Sequence, residues 1–343
     1  MIQLPTQITG GAPWVCWRSV SFGNDGGKNR KGFLEAAERA FRIFDDLNPR
    51  SLASWSFEKA RVSHPKLFEE VAYRILQLDH LEIFNPQELS HILLAYTKSG
   101  ESNKRLFKKI ADHIIALNNL REFKPQELSN VVWSFEKVGA SHPKLFEKVA
   151  DHMIQLDHLG KFNPQNLSDV LLAFAKSGEP NPGLFKKIAD HVIALNNLKG
   201  FKPQELSIMV LSFTKAEEPY PMLFAKVANH IVALDSLHQF DPQALANTVW
   251  AYAKAGEAHP SLFKTIADHI AGLEDLHGFE VQHFTQILGA YGSANIVHPH
   301  LFEKIPVFVE EHIAFAKLDK ESLTMLLWAY EAAEKAQKSS NKN

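Results

Sequence analysis

Cysteine is nearly absent from this chain: Cys16 is the only one in 343 residues. No disulfide framework can form, which fits a reducing compartment or indifference to redox, and a catalytic thiol is not expected. Long apolar runs are missing too; no stretch of about 18 apolar residues exists, so no helix is expected to cross a membrane. Net charge is only −2 with the seventeen histidines counted as neutral, which excludes a protein that holds nucleic acid by bulk positive charge alone. Any such contact needs a local stripe. Catalytic signatures are lacking as well: there is no His-Glu-x-x-His, no paired cysteine motif and no Gly-x-Ser-x-Gly. The run Gly23-Asn24-Asp25-Gly26-Gly27-Lys28-Asn29 approaches a phosphate loop, but its first glycine is one place too close and Asn29 stands where Ser or Thr would hold magnesium. The expectation is a binder with no catalytic residue, no metal and no cofactor.

What the sequence does contain is a period. Phe84, Phe123, Phe162, Phe201, Phe240 and Phe279 recur every 39 residues, and Phe84-Asn85-Pro86-Gln87-Glu88-Leu89-Ser90 returns as Phe123-Lys124-Pro125-Gln126-Glu127-Leu128-Ser129. A spacing of this size marks a solenoid or a propeller. A longer copy is superimposed on it, since the stretch from Trp133 to Gln165 repeats that from Trp55 to Gln87. A block of two units was duplicated.

Each unit reads as two helices. Asn85 before Pro86 is a helix start, because Asn caps free amides and Pro is tolerated at the first helical position. Leu89, Ile92, Leu93 and Tyr96 then mark one apolar face. The stop falls at Gly100, with Gly139, Gly178 and Gly256 in the same place, Asn295 as the other residue that accepts a left-handed backbone, and Glu217 as the exception. This is helix A. Helix B begins at His142-Pro143, Asn181-Pro182, Tyr220-Pro221, His259-Pro260 and His298-Pro299, and carries a face such as Leu106, Phe107, Ile110, Ala111 and Ile114. Such a pair cannot bury its apolar face alone, so neighbours must stack. The expected fold is all-α, a right-handed α-solenoid. Its parts are a disordered leader or presequence at 1–30, a cap helix at 31–47, seven tandem helix pairs over 48–317, a half-repeat cap at 318–334 and a disordered tail at 335–343.

A helical wheel at about 100° per residue leaves helix A one narrow open strip. In the unit at Phe84 it contains Gln87, His91, Ala95 and Lys98. The glutamine recurs as Gln126, Gln165, Gln204, Gln243 and Gln282, and the lysine as Lys59, Lys137, Lys176, Lys215 and Lys254. The small residue recurs as Ser134, Ala173, Ser212, Ala251 and Ala290. Only the middle changes, running His91, Asn130, Asp169, Ile208, Asn247, Gln286 and Met325. Variation confined to one place, mostly on hydrogen-bonding types, suits base readout; drift at an exposed position is the plain alternative. The lysines suit phosphates, while their bland explanation is a favourable charge at a helix C-terminus. The tryptophans, among them Trp133, Trp250 and Trp328, are expected in the packing between A helices, and the recurring Asp-His pairs (Asp112-His113, Asp151-His152, Asp190-His191, Asp268-His269) as scaffold, with a hydrogen-bonded histidine.

The pattern Phe-x-Pro-Gln-Glu-Leu-Ser, followed by Trp-Ser-Phe-x-Lys at Trp133 to Lys137 or Trp-Ala-Tyr-x-Lys at Trp250 to Lys254, and then Pro-x-Leu-Phe-x-Lys-Ile/Val-Ala, resembles the octotricopeptide repeats of algal organelle proteins, relatives of the FAST-kinase-like proteins. The match covers roughly residues 33 to 334. The resemblance implies sequence-selective binding of single-stranded RNA in a mitochondrion or chloroplast, with a role in transcript processing, stability or translation, and with further proteins of an RNA-processing complex as partners. Many relatives carry a C-terminal RAP domain that this chain does not show, so cleavage is not part of the expectation. The alternative reading is a protein-binding α-solenoid scaffold, which the near-zero net charge favours.

Overall fold

The computed structural model describes residues 65–312 apart from 141 and 219, and, after them, 319, 320, 323, 324, 326–328 and 331. The expected cap at 31–47 and the first helix of the unit that begins at Asn48 lie outside those residues. Thirteen helices are bounded: α1 (Pro65–Gln77), α2 (Pro86–Ser99), α3 (Lys104–Ala116), α4 (Pro125–Lys137), α5 (Pro143–Gln155), α6 (Pro164–Ser177), α7 (Pro182–Ala194), α8 (Pro203–Lys215), α9 (Pro221–Val232), α10 (Pro242–Lys254), α11 (Pro260–Gly272), α12 (Val281–Ser293) and α13 (Pro299–His312). No strand occurs among the described residues. Even-numbered helices are the A helices and odd-numbered ones the B helices, and each packs on the same kind of helix in the next unit. The fold is an α-solenoid.

Local sequence sets the helix ends. Asn85 Oδ1 accepts from the Glu88 amide at 2.9 Å while Glu88 Oε2 accepts from the Asn85 amide at 2.8 Å, with Pro86 at the first helical position. Lys124 and Lys202 cannot accept, so α4 and α8 keep only the second half of that box, from Glu127 and Glu205. At the far end the chain turns left-handed at Gly100, Gly139, Gly178 and Gly256, and also at Glu217 (φ 56°) and Asn295 (φ 54°). Glu217 therefore departs from its equivalents in residue type and not in conformation. The turn holds it there: the Glu218 amide donates to Phe213 O at 3.0 Å, just as the Ala140 amide donates to Phe135 O. A left-handed non-glycine residue costs about 1–2 kcal/mol. Glu217→Gly is accordingly expected to raise stability by about 1 kcal/mol in urea unfolding, and a loss of stability would show that the side chain is needed.

The core runs along the array as a repeated aromatic step. Each B-helix phenylalanine meets the ring 28 residues later on the following A helix edge to face, as in Phe107–Phe135 at 5.1 Å and Phe185–Phe213 at 5.0 Å. Where that ring is tyrosine its hydroxyl donates back to the phenylalanine carbonyl, from Tyr252 to Phe224 at 2.7 Å and from Tyr291 to Phe263 at 2.6 Å. Trp328 closes on Phe302 at 5.1 Å. The A helices approach one another more closely than the B helices do. Small buried residues permit this: Ser90, Ser129, Ser168 and Ser207 are buried, each hydroxyl donating to its own helix three residues back. Closer spacing in one layer bends the array toward it, so the A layer lies on the inner curve.

Joints in the B layer are made by a second set of lysines. Lys148 Nζ donates to Leu117 O at 2.6 Å and Lys187 Nζ to Leu156 O at 2.5 Å, at the carbonyl end of the preceding B helix, and Lys109, Lys226 and Lys304 do the same. The aspartates of the Asp-His pairs also cross a joint. Asp190 accepts from Tyr220 Oη at 2.5 Å and Asp268 lies 3.0 Å from His298 Nε2. Thus the aspartates of these pairs carry a bond across the joint.

Candidate nucleic-acid interface

The strip expected on helix A is a groove. Gln87, Gln126, Gln165, Gln204, Gln243 and Gln282 are exposed at one end of their helices, and Lys98, Lys137, Lys176, Lys215 and Lys254 are exposed at the other. Between them the floor is recessed. His91 is exposed, but Asp169, Ile208, Asn247 and Gln286 are half-buried and Asn130 is only 9% exposed. The expected readout residues are thus at the bottom of the strip instead of projecting from it. Lys59 and Met325 lie outside the described residues.

One assignment of the wheel needs correction, and the expected packing of the tryptophans holds in part, since Trp250 and Trp328 do pack against the core. Ser134, Ala173, Ser212 and Ala251 are fully buried and Ala95 is 6% exposed, so the small residues belong to the contact between A helices and not to the open strip. Their place is about 80° from the glutamine, far enough round for the neighbouring helix to cover it. The place of Leu94 lies only about 20° from the glutamine on the other side. Its equivalents Trp133 and Trp250 are half-buried, and lysines sit over their rings, Lys137 on Trp133 at 6.0 Å and Lys215 on Trp250 at 5.6 Å. These indoles edge the groove, and the wheel angle was the signal that could have found them.

Of the helix A acids Glu88, Glu127, Glu136 and Glu205, three are turned away from the lysines. Glu88, Glu127 and Glu205 are held by backbone amides at the N-termini of their helices, a full helix length from the lysine row, and Glu127 and Glu205 are buried there. Glu136 does approach, 3.8 Å from Lys137.

Polar groups of the floor are tied to the next unit. Asn166 Nδ2 donates to Gln126 Oε1 at 3.1 Å and Gln126 Nε2 donates to Asn130 Oδ1 at 2.9 Å. The same relay recurs further along, where His283 Nε2 lies 3.2 Å from Gln243 Oε1 and Gln243 Nε2 donates to Asn247 Oδ1 at 2.9 Å. Because the Glu280 amide donates to His283 Nδ1 at 3.0 Å, the proton of that ring sits on Nε2. Gln286 Oε1 is buried without a partner among the described residues. Asp169 has its carboxyl raised to about 6, first by burial and then by Glu205 of the next unit, against the pull of Lys98 two A helices back.

Titration of this scaffold has a predictable sign. Burial holds the imidazoles of His113, His152, His191, His230, His269 and His283 below their usual value. Below about pH 6.5 the unfolded chain therefore binds more protons at these sites than the folded one, and stability falls as the pH drops. Asp169 acts oppositely, since between about pH 6 and 4 only its folded form keeps the proton. The melting temperature is expected to fall from pH 7.5 to 5.5, and to fall more steeply in Asp169→Asn; a rise on acidification would contradict the burial of the histidines.

Among the described residues no helix is long and apolar enough to cross a membrane, and no three side chains converge as metal ligands. Residues 33–334 match the family described as the RNA-editing substrate-binding complex 6 protein. No curated protein matches the chain.

Proposed function

The chain belongs to the RNA-editing substrate-binding complex 6 protein family, and from that premise we propose that it holds single-stranded RNA along the A-layer groove, about one nucleotide per helix pair, as a binding subunit of an organellar RNA-processing assembly. One observation carries this reading. The groove repeats, every 39 residues, an exposed glutamine, a recessed floor of varying polarity and an exposed lysine, while Glu88, Glu127 and Glu205 are drawn to the opposite end of their helices. Phosphates suit the lysine row, base edges suit the floor, and Trp133 and Trp250 offer half-exposed rings at the border for stacking. The role is binding, with any chemistry left to partner proteins of the assembly, and the compartment is a mitochondrion or chloroplast.

Photo-crosslinking to single-stranded RNA that contains 4-thiouridine, followed by mass spectrometry, tests the placement. Crosslinks are expected on α4, α6, α8 and α10. Crosslinks confined to the B helices, or binding to peptides in place of RNA, would favour a protein scaffold.

A further inference from the structure

Resting on the RNA-binding reading, we propose that each unit's base preference is set by the third helical residue of the next A helix, and that two units are thereby fixed to select uracil. The relay described above has a direction. Asn166 gives a hydrogen to Gln126 Oε1, which turns the Gln126 amide so that its Nε2 gives one to Asn130 Oδ1. Because the asparagine amide is planar, engaging Oδ1 toward Gln126 leaves its NH2 as the end directed elsewhere. His283, Gln243 and Asn247 reproduce the arrangement three helix pairs later, with the His283 Nε2 proton in the place of the Asn166 amide.

The other units follow the same logic by equivalence. Where the next helix brings a carboxylate, Glu127 or Glu205, the floor residue is His91 or Asp169; where it brings Ala244, which can neither give nor accept, the floor residue is Ile208. An asparagine occurs on the floor only where the neighbour supplies a donor, among the described units. Gln286, whose next-helix neighbour would be Ser322, is outside this comparison because Ser322 is not described.

A base read by an outward NH2 must offer an acceptor, and groups on it that need an acceptor in return are left unmet. Uracil leaves least unmet, a single N3–H flanked on both sides by the carbonyl oxygens O2 and O4, whereas cytosine, adenine and guanine each present an exocyclic amine with two hydrogens. Asn130 and Asn247 are thus specificity-determining residues for uracil, and Gln126, Asn166, Gln243 and His283 are positioning residues that act through them. Since α4 and α10 are three helix pairs apart, the two uracils fall about three nucleotides apart at one nucleotide per pair.

The test is enrichment of bound sequences from a random single-stranded RNA pool with the whole chain and with Asn166→Ala, His283→Ala and Asn130→Ala. Alanine at this helical position has a precedent in Ala244, so Asn166→Ala keeps a residue type that the fold already accepts. The parent chain is expected to enrich uracil at two places. Asn166→Ala should cut the preference at the first place about three- to tenfold, the worth of one hydrogen bond, and leave the preference at the second place within about twofold. His283→Ala should do the reverse, and Asn130→Ala should abolish the first preference directly. If RNA is bound but an amine-bearing base is enriched at these places, or if Asn166→Ala and His283→Ala change neither, the inference is overturned while RNA binding stands. If no RNA is bound at any salt concentration, the reading beneath it falls as well.

Discussion

Phe185→Ala is expected to cost about 3–5 kcal/mol, because the ring is 1% exposed and lies 5.0 Å from Phe213 at 78°, so truncation leaves a cavity that two helices on either side cannot close. In a linear array the loss has a location. Each unit touches only its neighbours, so the damage is felt first at the α6–α8 joints, and the two halves of the array should begin to unfold separately. Urea denaturation followed by fluorescence should show an earlier or a second transition, and hydrogen exchange should rise in α6, α7 and α8 before it rises in α2 or α12. Tyr73→Ala is the matched control, since Tyr73 is 59% exposed and its loss should change stability by less than about 0.5 kcal/mol. A Phe185→Ala chain as stable as the control would mean that the aromatic step is not what joins the units.

The second large effect concerns affinity. Changing Lys98, Lys137, Lys176, Lys215 and Lys254 together to alanine is expected to weaken single-stranded RNA binding about a thousandfold near 0.1 M salt, if each contributes one phosphate contact with a log-log slope of about −0.7. Folding should survive, because all five are exposed. Lys108, Lys186 and Lys264 on the B layer provide the comparison. Each is paired with an aspartate four residues on, at 2.5–2.6 Å, so their removal should leave RNA binding nearly unchanged. Equal losses in the two sets would point to bulk charge and away from a defined track.

Much of this architecture could be read from the sequence because it rests on short-range rules repeated many times. Asn85-Pro86 and Asn181-Pro182 announce helix starts, and the position of Gly100, Gly139, Gly178 and Gly256 announces the left-handed stop strongly enough that Glu217 adopts it too. The groove was legible as a periodic set of residues but not as a shape. A wheel treats a helix as isolated, whereas here neighbouring A helices close in from both sides, which buries Ser134 and Ala173 and sinks Asn130 below its expected exposure. Contacts between units were the least legible. Nothing local to Lys109, Lys148, Lys187 and Lys226 shows that each reaches a carbonyl about 31 residues back. The alternation of Asn166 and His283 with Glu127 and Glu205 was in plain sight, yet it gains meaning only when the next helix is seen beside Gln126 and Gln243.

The dependence of single-stranded RNA affinity on salt puts the central claim, a cationic inner track for RNA, to its most direct trial. Measured by fluorescence anisotropy between about 50 and 300 mM salt, the plot of log affinity against log salt should be straight, with a slope of about −3 to −4 from the five described lysines of the groove. A slope near zero, or one that persists undiminished when those lysines are removed, would contradict it.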